Sequence, residues 1–198
     1  MTTLQLLFAV VIASTGFLAA YAQPDYAWAF VTIHLISMYI IATRANAWQA
    51  FGASLLVGLS TIIPTLWFFW SMMDRQQAIG LWMMLASWQV FPIVISNLFS
   101  RRAIWTRWLL PVFWTVVLYT RCELYPLRFA MATPIHALTG RSADLLHFGG
   151  YGFVFIVLSG IVMFDWLFTQ ASQSRQPTGR KLAFAALSLL LVVTLQMS

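Results

Sequence analysis

Charge is what this chain has least of. Of its 198 residues, eleven are Lys or Arg and five are Asp or Glu, while 61% are hydrophobic. No soluble interior hides that share of apolar side chains, so the solvent of this chain is a bilayer. Cysteine is nearly missing as well. The single Cys122 excludes an internal disulfide framework and leaves a buried or interfacial thiol. His34, His136 and His147 are far apart and lack clustered ligands, so no zinc pattern is present and no metal is expected. There is no GxSxG elbow and no phosphate-binding glycine loop, and no cofactor is expected. The net charge of +6 does not point to nucleic acid, because the basic residues sit at the ends of apolar runs and form no solvent-facing stripe.

What remains is a series of long apolar runs. Seven are long enough to cross a bilayer, at about 4–22, 26–43, 48–71, 79–99, 104–121, 144–169 and 180–197. They are too long and too continuous for barrel strands of about ten alternating residues. Helices satisfy their own backbone in lipid, so the expected fold is all-α, a single transmembrane helical bundle over 1–198. The first run ends on Ala20-Tyr21-Ala22, which fits a cleavage site, but no Lys or Arg precedes Arg44. Without a positive n-region it reads as a permanent span.

The gaps set the orientation. Those after the second, fourth and sixth runs hold Arg44, Arg101, Arg102, Arg107, Arg175, Arg180 and Lys181. The others hold Arg75, Arg121, Arg128 and Arg141. Lys and Arg favour the cytoplasmic side of short loops. The N-terminus is therefore expected in the cytoplasm and the C-terminus outside.

No linker, repeat or low-complexity tract divides the chain. Asn46 to Trp48 breaks the second run from the third, and Pro64 should kink the third, since it removes a backbone donor. Trp67, Trp70, Trp82, Trp88, Trp105, Trp108 and Trp114 fall near run ends and read as interface anchors. His34 can stay neutral and bond to a neighbouring helix, and Asp165 lies close enough to the cytoplasmic end to be solvated.

The longest non-apolar stretch runs from Arg121 to Arg141 on the expected outer side. It holds Arg121, Cys122, Glu123, Arg128, His136 and Arg141, with Pro126 and Pro134 preventing one regular helix. A re-entrant or interface-lying segment fits it. Guanidinium matches phosphate geometry, so Arg121, Arg128 and Arg141 are candidates for holding a lipid headgroup. Next come Asp144, His147 and Tyr151, spaced three and four apart, which share one face of a helix. That face reads either as a headgroup-binding or proton-handling row or as a polar seam between helices. Gly149, Gly150 and Gly152 allow close helix packing. No catalytic set is complete within the chain.

From Phe91-Pro92-Ile93 the sequence leads to Arg101-Arg102, Leu110-Pro111-Val112-Phe113-Trp114-Thr115, Tyr119-Thr120-Arg121 and Tyr125-Pro126-Leu127. It continues to Gly149-Gly150-Tyr151-Gly152-Phe153-Val154-Phe155. This order resembles the membrane part of the apolipoprotein N-acyltransferase family, and Gly52 to Trp70 resembles its third span. The family's acidic residue in the Trp-bearing span aligns with Leu118, and the glutamine before its glycine turn aligns near Ala143. The resemblance implies a membrane domain that binds phospholipid or a lipoprotein anchor. It also implies a nitrilase-like domain after the seventh span, where this sequence reaches Ser198, so such a domain or another membrane subunit would be the partner.

A shorter resemblance joins Asp144-Leu145-Leu146-His147-Phe148 and Tyr151 to the VanZ-like family, with Leu145 in place of its lysine. It implies a small membrane-embedded lipid-modifying enzyme; on the residues themselves, such an enzyme would use Asp144, His147 and Glu123 as acid–base groups. A structural subunit of a larger membrane complex is the remaining alternative.

Overall fold

The computed structural model describes residues 1–100, 104–124, 133–138 and 149–173. Among these residues all regular structure is helical and there is no strand. The helices are α1 (Thr3–Ala22), α2 (Ala27–Arg44), α3 (Ala47–Thr65), the single turn α4 (Phe69–Met72), α5 (Arg75–Ser100), α6 (Leu109–Tyr119), the short α7 (Pro134–Ala137) and α8 (Gly149–Gln173). Five of them, α1, α2, α3, α5 and α8, are long and apolar enough to cross a membrane. At 1.5 Å per residue, about 20 residues span roughly 30 Å of hydrocarbon. The protein is an integral membrane protein by this measure.

The fifth apolar run is not one uniform helix. It begins as a 3₁₀ segment (Ile104–Trp108), becomes α6, and ends in a π-turn (Thr120–Leu124). The seventh run, 180–197, lies outside the described residues. The third run is shorter than expected, and Pro64 ends it rather than kinking it. Helix α3 stops at Thr65, one residue after the proline, and the chain turns through Leu66 into α4. Pro92, in contrast, lies inside α5.

Local chemistry starts the helices. Thr2 and Gln5 form a reciprocal capping box on α1, with bonds of 3.3 and 3.0 Å. Asn46 and Gln49 do the same for α3 at 2.8 and 3.1 Å. Each box satisfies backbone donors that a helix start would otherwise leave bare. Hydroxyls within the spans bond back to carbonyls one turn earlier, as Thr32 does to Trp28 and Ser54 to Ala50, both at 2.7 Å. In lipid that local bond removes the cost of carrying a polar group.

Helix α2 is central, touching α1, α3, α5 and α8. Helix α1 packs closely on α2, α3 on α5, and α6 on α8. Lipid tails are as apolar as leucine, so close packing and interhelical hydrogen bonds hold such a bundle, not exclusion from water. Small residues make the first two of these crossings. A Cβ on Gly16 would stand 3.1 Å from the Phe30 carbonyl oxygen, and one on Gly58 would stand 3.0 Å from both Cα and Cβ of Ala86. Ser14 of α1 meets Ser60 of α3 at 2.6 Å, and the Asn97 amide on α5 donates to the carbonyls of Ala42 and Ala45 at 2.8 Å each, closing the end of α2. Large apolar side chains face outward, among them Leu4, Phe8, Leu56, Phe91, Val116 and Phe168. On a soluble protein this surface would aggregate; on this one it is the lipid contact.

The crossing order brings Arg44 and Arg107 to one end of the bundle and Arg75 and Arg121 to the other.

Candidate functional site

Arg121 is the most unusual residue of the described structure. It is a guanidinium in the π-turn that follows the apolar helix α6, and it is 1% exposed. The π-turn explains its direction. On α6 the inward positions are Leu110, Trp114 and Leu118, at the spacing of one helical turn. The turn then widens to an i→i+5 pattern, and both Arg121 and Cys122 face inward while Glu123 and Leu124 are exposed. Such π-turns recur at functional sites.

Arg121 lines a small cavity in the bundle together with His34, Trp88, Gln89, Pro92, Trp114, Val117, Leu118 and Pro134. His34 is buried and its Nδ1 donates to the Ala13 carbonyl oxygen at 2.9 Å. A carbonyl only accepts, so the neutral ring carries its proton on Nδ1. The bond from α2 to α1 is the neighbouring-helix contact expected of this histidine. Phe17 packs tilted against the ring, with centroids 5.3 Å apart.

Above the cavity lies α7. Thr133 caps it, its hydroxyl accepting from the His136 N–H at 3.2 Å, and Pro134 follows as the first helical residue. The Tyr21 hydroxyl, at the end of α1, accepts from the Thr133 N–H and donates to the Thr133 carbonyl oxygen, both at 3.1 Å. The Tyr21 and His136 rings lie 6.2 Å apart. Tyr21 and Cys122 are near enough to Arg121 to act on it electrostatically. On the other side, the Tyr151 hydroxyl donates to Glu123 Oε1 at 2.9 Å, and the Cys122 thiol lies against Tyr151 and Thr133. Helix α8 can begin here because Gly149 adopts φ +65°, a conformation that L side chains avoid. A Cβ on Gly150 would stand 2.5 Å from Ile135 Cγ2, so this glycine does serve close packing, of α8 against α7.

Four candidate residues thus gather at one end of the bundle: Arg121 inside, Glu123 and Tyr151 bonded to each other, and His136 on the cap. The structure turns Arg121 into the bundle, at the start of the stretch that the sequence suggested was re-entrant or interface-lying. Arg128, Arg141, Asp144 and His147 lie outside the described residues. Among the described residues no three His, Cys, Asp or Glu side chains come together as a metal site.

A second constellation occupies the opposite end. Asp165 on α8 accepts from the Tyr39 hydroxyl at 2.7 Å, pairs with Arg107 of the 3₁₀ segment, and lies 3.6 Å from Arg44 at the end of α2. Its side chain is only 13% exposed. The solvated aspartate expected from its place near a run end is in fact a three-way tie, because α2 and the 3₁₀ segment close over it. The tryptophans also need correction. Trp82 and Trp114 are buried in the core, not at an interface. Trp82 stacks with Trp67 and Trp70, at centroid distances of 6.0 and 5.6 Å, and donates to the Leu66 carbonyl oxygen at 3.4 Å.

No family model, curated protein or solved structure matches this chain. Its site must be read from its own geometry.

Proposed function

We propose that this protein binds the anionic headgroup of a phospholipid or lipoprotein anchor at the Arg121 end of the bundle, on the outer side of a bacterial inner membrane. Burial of Arg121 at this place carries the reading. The residue lies three positions from the last described residue of its segment, roughly 5 Å of helix rise. A guanidinium offers five donors in a fork that fits phosphate oxygens, and ionisable groups kept inside a membrane bundle mark binding or transport paths. Tyr21 and Cys122 lie close to it, and among the described residues the one-turn α7 packs over the cavity through Pro134. The resemblance to the N-acyltransferase membrane part supports the same chemistry, with Arg128 and Arg141 as further phosphate ligands.

The test is lipid retention, measured by native mass spectrometry after purification in mild detergent. Changing Arg121, Arg128 and Arg141 together to Gln should cut retained anionic lipid by about tenfold or more, the loss of at least one charge-assisted contact. Arg121→Lys and the Arg128→Gln/Arg141→Gln pair keep the test informative if the triple variant misfolds. Equal retention by folded variants would reject headgroup binding. A fixed protein partner in the same spectra would favour a subunit of a larger complex or a nitrilase-like companion.

The Tyr151–Glu123 hydrogen bond favours a second reading, a VanZ-like lipid-modifying enzyme. It ties Glu123 to the helix that starts just after Asp144 and His147. On that reading His147→Ala abolishes turnover of a phospholipid substrate while leaving lipid retention intact.

A further inference from the structure

Gln89 sits midway along α5 with a relative exposure of 7%, and its Oε1 has no hydrogen-bond partner. It lines the same cavity as His34 and Arg121. Buried side-chain acceptors are paired in the large majority of cases, so one left open toward a cavity calls for a donor. His34 adds a second acceptor. Its Nδ1 proton is committed to Ala13 at 2.9 Å, which leaves Nε2 with a lone pair. Arg121 contributes donors alone. The walls between these groups are Trp88, Pro92 and Trp114.

Size and polarity then select the occupant. The space holds about one water-sized group. A carboxylate or phosphate is too large and would face two acceptors. A cation would face Arg121. An apolar group would leave Gln89 unpaired. A hydroxyl can accept from Arg121 and donate to Gln89 or His34 at once.

We infer that the cavity bounded by His34, Gln89 and Arg121 is a binding site for a single hydroxyl group, that of a water molecule or of a lipid alcohol reaching in from the bilayer. The inference shares Arg121 with the headgroup reading but does not require it, because the acceptors that define it are Gln89 and His34. It places a hydrogen-bonded hydroxyl below the headgroup level, beside an imidazole able to accept a proton.

Magic-angle spinning NMR of the whole protein in liposomes tests this, with ¹⁵N in the His rings and Gln amides. The His34 and Gln89 signals are assigned from their loss in His34→Gln and Gln89→Met. In phosphatidylcholine, which carries no hydroxyl, magnetisation transfer from water to His34 Nε2 and to the Gln89 amide identifies water as the occupant. Transfer that arises only when diacylglycerol is added, together with transfer from its glycerol carbon-bound protons, identifies a lipid alcohol. No transfer in either liposome overturns the inference. Gln89→Met should weaken transfer to His34 about fivefold, since a bridging water is held by 2–4 polar partners, while the His136 signal is unchanged. Undiminished transfer in that variant would also overturn it. Arg128→Gln/Arg141→Gln, the pair that weakens lipid retention on the headgroup reading, should leave the water transfer intact, so the two ideas can fail separately.

Discussion

At the scale of single residues, the best-defined polar contacts are those of Asp165. One carboxylate receives Tyr39, Arg107 and, more loosely, Arg44, from two separate elements. Removing the charge leaves Arg107, 20% exposed, without its partner in a mostly apolar setting. Breaking a fully buried pair costs about 3–5 kcal/mol, and the residual exposure here reduces that to about 2 kcal/mol for Asp165→Asn. Tyr39→Phe should cost about 1 kcal/mol, one net hydrogen bond. Arg44 is 65% exposed, and Arg44→Gln should stay within about 0.5 kcal/mol. Unfolding in detergent, followed by tryptophan fluorescence, would show this order. A loss for Arg44→Gln equal to that for Asp165→Asn would refute the unequal three-way tie. The sequence showed an aspartate near the end of a run, and nothing in it revealed that two other elements would fold over the carboxylate. Gln89 is similar. Its one signal is an amide deep in an apolar span, which marks a residue that needs a partner but not where that partner lies.

Among the elements, what could be read from the sequence followed from length and capping. Apolar length placed α1, α2, α3, α5 and α8, and Asn46 placed the start of α3. Periodicity could not reveal the change from 3₁₀ to α to π through residues 104–124, because all three give an unbroken apolar run. That change is what turns Arg121 and Cys122 inward together. Helix pairing was equally hidden, and here glycine decides it. Gly58 touches Ala86 so closely that any larger side chain must separate α3 from α5, whereas Gly52, on the same helix, has nothing within 4 Å of the Cβ position. Gly58→Leu should therefore destabilise the bundle by about 1–3 kcal/mol, the usual cost of overpacking. Gly52→Leu should be neutral or slightly favourable, since leucine is the better helix former. Melting temperatures of the two variants in one detergent give the comparison. A matched loss would mean that the α3–α5 crossing is not set at Gly58.

For the molecule as a whole, the charges and the crossing order can be checked against each other. Arg44 closes α2 and Arg107 lies just before α6, and the bundle brings both to Asp165 at one end. Arg75 and Arg121 mark the other end. Among the described residues each end carries members of one of the two charge groups separated by the sequence, and the retention of Lys and Arg in the cytoplasm predicts that the Arg44–Arg107 end faces inward. Single cysteines report this directly once Cys122 is replaced by alanine. Trp48→Cys, beside Arg44 at a position 85% exposed, should react with a membrane-impermeant maleimide only after the cells are opened. Gln76→Cys, exposed at the start of α5, should react on intact cells. The reverse pattern would place the Asp165 tie outside and the Arg121 end in the cytoplasm. A headgroup bound at Arg121 would then have to come from the inner leaflet, and an extracytoplasmic acyltransferase partner would have no access to it.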